Sequence, residues 1–293
     1  MDAKQHAFAF TEYWEAQSGI SFGVEEVLYS RQSEYQHVRV LQTDSFGRLL
    51  TLDGLVMLTE RDEFVYHEMI SHPALCLLKD PKRVLVVGGG DGGTVREILR
   101  HQGIEHVDLV EIDQMVIDVS REFFPAVSSA LDDERLSIRV EDGAAFVKNA
   151  PSGHYDLVVV DSTDPVGFAE ALFGEDFYRD CLRVLTDDGI MVSQTESPFD
   201  RTFQESIRAA NEFLESLFKH VELYLAYIPT YPTGMWSFTM ASKQLHPVRD
   251  FDATSAGQRL APFSGELGYY HSELHRAMFV RPAFVDRFLG RHV

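Results

Sequence analysis

The chain has 293 residues, 45% of them hydrophobic, and a formal net charge of −20. That composition buries a full core and excludes a disordered chain. The acidic balance argues against a nucleic-acid or anionic-membrane partner, because such binding depends on Lys and Arg. The two cysteines, Cys76 and Cys181, have no metal-type spacing and no disulfide pattern. No apolar run approaches the ~18 residues of a membrane helix, and Met1–His6 lacks the basic-then-apolar pattern of a secretory signal. A cytoplasmic enzyme is expected.

In chain order, residues 21–58 alternate between apolar and polar. The pattern predicts strands over Gly23–Ser30, Gln36–Gln42 and Arg48–Leu52, with turns at Asp44–Gly47 and at Asp53-Gly54. A helix is predicted over Glu63–Leu77. Strand and helix then alternate: strands at Val84–Val87, Val107–Ile112, Leu136–Val140, Leu157–Val160 and Ile190–Gln194, and helices at Val95–His101, Met115–Phe123, Phe177–Leu185 and Thr202–Phe218. Val221–Ile228 and Trp236–Ala241 close the pattern as paired strands. The expected fold is α/β, a doubly wound, mostly parallel sheet covered on both faces. A small antiparallel β domain, residues 1–62, precedes a Rossmann-like catalytic domain, residues 63–293. Ligands then bind beyond the carboxyl ends of the strands, at the switch point.

Gly88-Gly89-Gly90-Asp91-Gly92-Gly93 follows the first strand of that sheet and matches G-x-G-x-x-G, and Glu111 ends the next strand. A dinucleotide would set a doubly negative pyrophosphate against this loop, and Asp91 would repel it. An adenosine sulfonium carries no phosphate but a positive sulfur and an amine-bearing tail, which Asp91 would attract. Alternatively Asp91 caps the following helix, and the two roles can coincide. Glu111 is placed to bind a ribose, and Asp142-Gly143, otherwise an ordinary turn, to reach the adenine.

Val158-Val159-Val160-Asp161-Ser162-Thr163-Asp164-Pro165 runs off a buried strand. In isolation it reads as a solvated turn; beside Asp91 it reads as a second cation site. An ammonium has no lone pair and must lose a proton to attack carbon, which a positioned carboxylate can accept. The sulfonium is already a good leaving group, so alignment and deprotonation are what the protein supplies. No metal is expected among the twelve histidines.

Several segments resemble the spermidine synthase family of polyamine aminopropyltransferases. They are Leu52-Asp53-Gly54, Thr59 to Met69, the GGGDGG loop, Val110 to Asp113, Glu141-Asp142-Gly143, Asp161 to Pro165, Ser193-Gln194 with Ser197-Pro198-Phe199, and Ile228 to Pro232, in order over residues 20–245. The resemblance implies a fold of the S-adenosylmethionine-methyltransferase type. It implies decarboxylated S-adenosylmethionine as co-substrate, with no permanently bound cofactor, and putrescine as acceptor, giving spermidine and methylthioadenosine. Asp161 would accept the proton with Tyr66 beside it. His67, Ser162, Thr163, Asp164, Gln194 and Tyr231 would line the diamine site, and Asp91 would contact the aminopropyl amine. Gln36, Glu111, Asp142, Gly143 and Phe168 would surround the nucleoside. The N-terminal β unit implies a homodimer or homotetramer.

Independently of the family, intact S-adenosylmethionine carries a carboxylate that Asp91 would repel, which favours aminopropyl over methyl transfer. Met57 stands where the family usually has Gln, and Phe168 where Pro is usual, so agmatine or cadaverine are alternative acceptors. Residues 162–173 are expected to act as a lid. A methyltransferase, a nicotinamide-dependent dehydrogenase and a non-catalytic polyamine or nucleoside sensor are the competing functions.

Overall fold

The structure, a computed structural model, describes residues 8–15, 18–162 and 172–291. Two sheets organise it. The first is antiparallel, with strands β1 (Ala9–Glu15), β2 (Ser18–Gln32), β3 (His37–Thr43), β4 (Gly47–Leu52) and β5 (Leu55–Thr59) in sequential order. Alternation along β3 buries Val38 and Val40 against α3 (Gln114–Phe123), beside Val116, Val119 and Phe124. The opposite face packs Phe10, Phe22, Val24, Leu41 and Leu49 together. One sheet face therefore docks on the rest of the molecule and the other closes on its own hairpins.

The second sheet contains β6 (Arg83–Gly88), β7 (His106–Glu111), β8 (Leu136–Val140), β9 (Tyr155–Asp161), β10 (Leu185–Gln194), β11 (His220–Tyr227) and β12 (Met235–Ser242). Its order is β11-β12-β10-β9-β6-β7-β8; β12 runs antiparallel to both its neighbours, and the other ladders are parallel. β6 is a continuous apolar run, Val84–Val87, because helices cover both of its faces. The order reverses between β6 and β9, where Gly88 and Asp161 are register partners. The glycine loop and the acidic motif thus leave the sheet side by side at the switch point.

Around the sheet stand α1 (Glu63–Leu77), α2 (Gly93–Leu99), α3, α4 (Gly143–Asn149), α5 (Glu175–Val184) and α6 (Arg201–Leu217). Thirteen residues of α1 are buried, so it is enclosed on all sides rather than amphipathic.

The structure adds elements to those expected from sequence. β1 alternates as a strand does, yet its Glu12 points inward and accepts from the Val56 amide at 2.7 Å, which masks the apolar stripe. β5 follows the Asp53-Gly54 turn directly. α4 begins where Asp142-Gly143 reads as a turn: Asp142 accepts from the Ala145 amide at 2.8 Å and caps a helix instead. Beyond residue 250 lie α7 (Ala253–Leu260), α8 (Ser272–Met278) and α9 (Ala283–Phe288), too short for a clear period. No described helix is long and apolar enough to cross a membrane.

Candidate active site

The ends of β6, β7, β9 and β10, the start of α4, one face of α1 and the first sheet enclose a cavity of about 310 Å³. Its chemistry is one-sided. Asp91, Glu111, Asp142, Asp161, Glu12 and Glu196 line it, and His67 is the only basic side chain among its described lining residues. A pyrophosphate would meet carboxylates here and no described Lys or Arg, which speaks against the dinucleotide reading of the glycine loop.

The loop brings backbone close to functional groups. A side chain on Gly88 (φ +81°) would strike the Asp161 carbonyl oxygen at 2.1 Å, and one on Gly93 would enter the His67 ring at 2.3 Å. Their absence lets Asp161 and His67 share one small space. Asp91 Oδ1 accepts from the Gly93 amide at 2.7 Å and faces His67 Nε2 at 3.2 Å. The helix-cap and cavity-facing roles therefore coincide. Burial opposes its charge, but His67 and the Gly93 amide hold Asp91 below the usual carboxylate range.

Asp161 is buried at the end of β9. Tyr66 donates to its Oδ1 at 2.6 Å and Thr94 to its Oδ2 at 2.6 Å. Burial and the charge of Asp91 push this carboxyl above its usual range, while His67 and the two hydroxyls pull it back. A positioned carboxylate with raised proton affinity is what a general base requires. Burial and the Asp161 charge raise Tyr66 well above the ordinary phenol range, so it remains a donor.

Glu111 accepts from the Gly90 amide at 3.1 Å and the Asp113 amide at 2.9 Å, yet burial still lifts it to about 7. Gln36 lines the cavity with its amide nitrogen 3.1 Å from Asp113 Oδ2, which ties β3's leading end to the β7–α3 turn. Asp142 and Gly143 also line it.

Across the cavity the Tyr231 hydroxyl donates to the Met57 carbonyl, and its ring sits 4.7 Å from that of Trp236. Gln194 donates to the Ser162 carbonyl at 3.1 Å, and Ser162 lies on the wall. His67 meets carboxylates on both ring nitrogens: Glu63 at 2.5 Å and Asp91 at 3.2 Å. Thr163, Asp164, Phe168 and nearly all of the expected lid lie outside the described residues.

Sequence reasoning missed Thr94, although it follows the GGGDGG loop directly and opens the helix beside β9. It also missed Glu196, buried at left-handed φ (+68°), a strained conformation for a residue with a side chain. Glu12, Trp14 and Trp236 on the wall gave no linear signal. Among the described residues no group of three or more His, Cys, Asp or Glu is arranged to hold a metal.

Comparison with known proteins agrees with this geometry. Residues 63–252 match the spermine/spermidine synthase domain, and residues 8–60 match the spermidine synthase tetramerisation domain. The chain is 49% identical to a polyamine aminopropyltransferase of Alkaliphilus metalliredigens, over 94% of this chain and 95% of that one. It is 47% identical to one from Clostridioides difficile, over 96% and 98%. A crystal structure of spermidine synthase in complex with the transition-state analogue AdoDATO superposes with a TM-score of 0.92 at 38% identity, covering 98% of this chain and 96% of that one. The Thermotoga maritima spermidine synthase gives 0.90 at 36%, covering 99% and 96%. The chain belongs to the spermidine synthase family and is a polyamine aminopropyltransferase.

Proposed function

We propose that the enzyme transfers the aminopropyl group of decarboxylated S-adenosylmethionine to putrescine, giving spermidine and methylthioadenosine. One observation carries this reading: Asp91 and Asp161 share a cavity lined by carboxylates and by no described Lys or Arg. Two cations, a sulfonium with an ammonium tail and an alkylammonium, suit such a cavity, whereas an intact methionine carboxylate does not. A complex with AdoDATO in a similar enzyme supports the same donor class.

In the proposed step Asp161 takes a proton from the bound ammonium of the acceptor. The freed nitrogen lone pair attacks the donor carbon next to sulfur. The new N–C bond forms as the C–S bond breaks, and its electron pair stays on sulfur as the neutral thioether. Tyr66 and Thr94 hold both oxygens of Asp161, so its rotamer is fixed before substrate arrives. Asp91 holds the tail amine and Glu111 the ribose, while Gln36, Asp142, Gly143 and Phe168 complete the nucleoside site. Gln194 and Tyr231 shape the acceptor slot with Ser162, Thr163 and Asp164.

Residues 1–62 are proposed as an oligomerisation unit before a catalytic unit of 63–293. The match of residues 8–60 to a tetramerisation domain supports a homotetramer. A cytoplasmic setting fits the proposed metabolite chemistry. The test is a panel of putrescine, agmatine, cadaverine and spermidine with the decarboxylated donor, products identified by mass. Methylthioadenosine and spermidine are expected with putrescine. A higher kcat/KM with agmatine or cadaverine would replace the acceptor, and S-adenosylhomocysteine formed from the intact donor would replace the reaction.

A further inference from the structure

Transfer as proposed needs Asp91 and Asp161 to be carboxylates together in a dry cavity, although like charges in close quarters raise one another's proton affinity. His67, the only basic side chain on the described wall, supplies the compensation. Its Nδ1 lies 2.5 Å from Glu63 Oε2 and its Nε2 3.2 Å from Asp91 Oδ1. An ionised carboxylate only accepts, so the Nδ1 facing Glu63 carries a proton, and a second carboxylate within ion-pairing reach of Nε2 holds the ring as an imidazolium. Glu63 is itself fixed by Arg96, whose two terminal nitrogens reach its two oxygens at 2.9 Å each. The Arg96 Nε meets Glu97 at 2.7 Å, which locks the fork from behind.

We propose that Glu63 and Arg96 are positioning residues for the transfer: through His67 they fix a permanent positive charge behind Asp91, which allows Asp91 and Asp161 to be negative at once. This rests on the reaction proposed above. The groups that face His67 come from every neighbouring element. α1 contributes Glu63 and the Tyr66 ring, edge-on at 5.5 Å; the β6–α2 loop contributes Asp91; α2 contributes Arg96, across Glu63; β9 contributes Asp161. Burial alone would strip the ring of its proton, but Asp91 and Glu63 outweigh it and lift His67 to about 10.

The sign follows. Without the Glu63 charge His67 loses its proton at lower pH. A neutral ring can still face Asp91, so the site keeps its shape, but wherever the ring is neutral the cation that lowers the proton affinity of Asp161 is gone. Asp161 then stays protonated to higher pH and cannot take the ammonium proton.

The experiment is the pH profile of kcat at saturating donor and acceptor for Glu63→Gln, Arg96→Met and Arg96→Lys. In Glu63→Gln the acid limb should move up by about one pH unit, with the donor KM changed less than kcat; in Arg96→Met, where Glu63 keeps its charge but loses the fork that holds it against His67, the limb should move by less. Arg96→Lys, which keeps the charge, should restore most of the shift. An unmoved limb in folded Glu63→Gln would overturn the proposal. A second measurement uses the wild-type protein: the ring ¹⁵N resonances of His67, assigned by their loss in His67→Gln. Both nitrogens should carry protons at about pH 8, and a neutral ring there would equally overturn it. Wild type that transfers no aminopropyl group would sink the reaction, while the ring resonances would still decide the charge on His67.

Discussion

Replacing Asp161 by Asn separates chemistry from binding in this site. The carboxylate is held by two O–H donors, Tyr66 at 2.6 Å and Thr94 at 2.6 Å. Asparagine can accept from Tyr66 through its oxygen and donate its amide hydrogen to the Thr94 hydroxyl, which accepts as readily as it donates. The hydrogen-bond count is preserved, so the stability cost should stay near 1 kcal/mol, a fall in Tm of about 2–4 °C. Chemistry should suffer much more, because the amide cannot take the ammonium proton. A general base contributes about 10²–10⁴ in rate, or about 3–5 kcal/mol of barrier. The assay is steady-state methylthioadenosine release, with methylthioadenosine affinity measured in parallel by calorimetry. Retained affinity with kcat lowered at least a hundredfold is expected. A variant that binds normally and turns over within about tenfold of wild type would refute the assignment of Asp161 as base.

Other outcomes follow from the same geometry. Tyr66→Phe keeps the ring contacts to Tyr231 and Phe238 but removes one donor from Asp161. A fall in kcat of about 10–100-fold is expected from one hydrogen bond to a charged group, with the acid limb of the pH profile moved up. Glu111 is raised to about 7, so below that pH it carries a proton that ribose hydroxyls must displace. Methylthioadenosine affinity should therefore rise about tenfold from pH 6 to 8 and flatten above; titration calorimetry across that range, or the same series on Glu111→Gln losing the dependence, checks it. Gly93→Ala places a methyl 2.3 Å from the His67 ring. The overpacking should cost about 1–3 kcal/mol, several degrees of Tm, and weaken donor binding; calorimetric melting reads the first effect.

What the sequence displays depends on how the chemistry is distributed along the chain. Gly88–Gly93, Glu111 and Asp161 each end a buried strand, and the order of strands in a doubly wound sheet brings those ends together. Their meeting could be expected from linear pattern alone. The Asp142 turn and the Asp142 helix cap carry the same local signal, an Asp before a Gly, so α4 was not separable from a loop. Contacts made across the fold had no such signal. Glu63 and Arg96 lie 33 residues apart, Tyr66 and Asp161 lie 95 apart, and Glu12 reaches the Val56 amide from 44 residues away. Only the family resemblance pointed to Tyr66, and nothing pointed to Glu63. The resemblance implied His67 beside the diamine; it lies on the cavity wall, with its Nδ1 on Glu63, one turn earlier.

The cavity lies between two sheets rather than within one. Leu50, Leu52 and Leu55 come from the small sheet, with Gln36 in the turn before β3, and Gly88 and Glu111 from the large one, with Gly89 to Asp91 in the loop beyond β6. Bound as proposed above, a nucleoside would act as a rivet across the seam. At a hundred times its dissociation constant it would add about 2.7 kcal/mol to the stability of the folded state. Were the small sheet to carry subunit contacts, their strength would then vary with how far the cavity is filled, without any moving part.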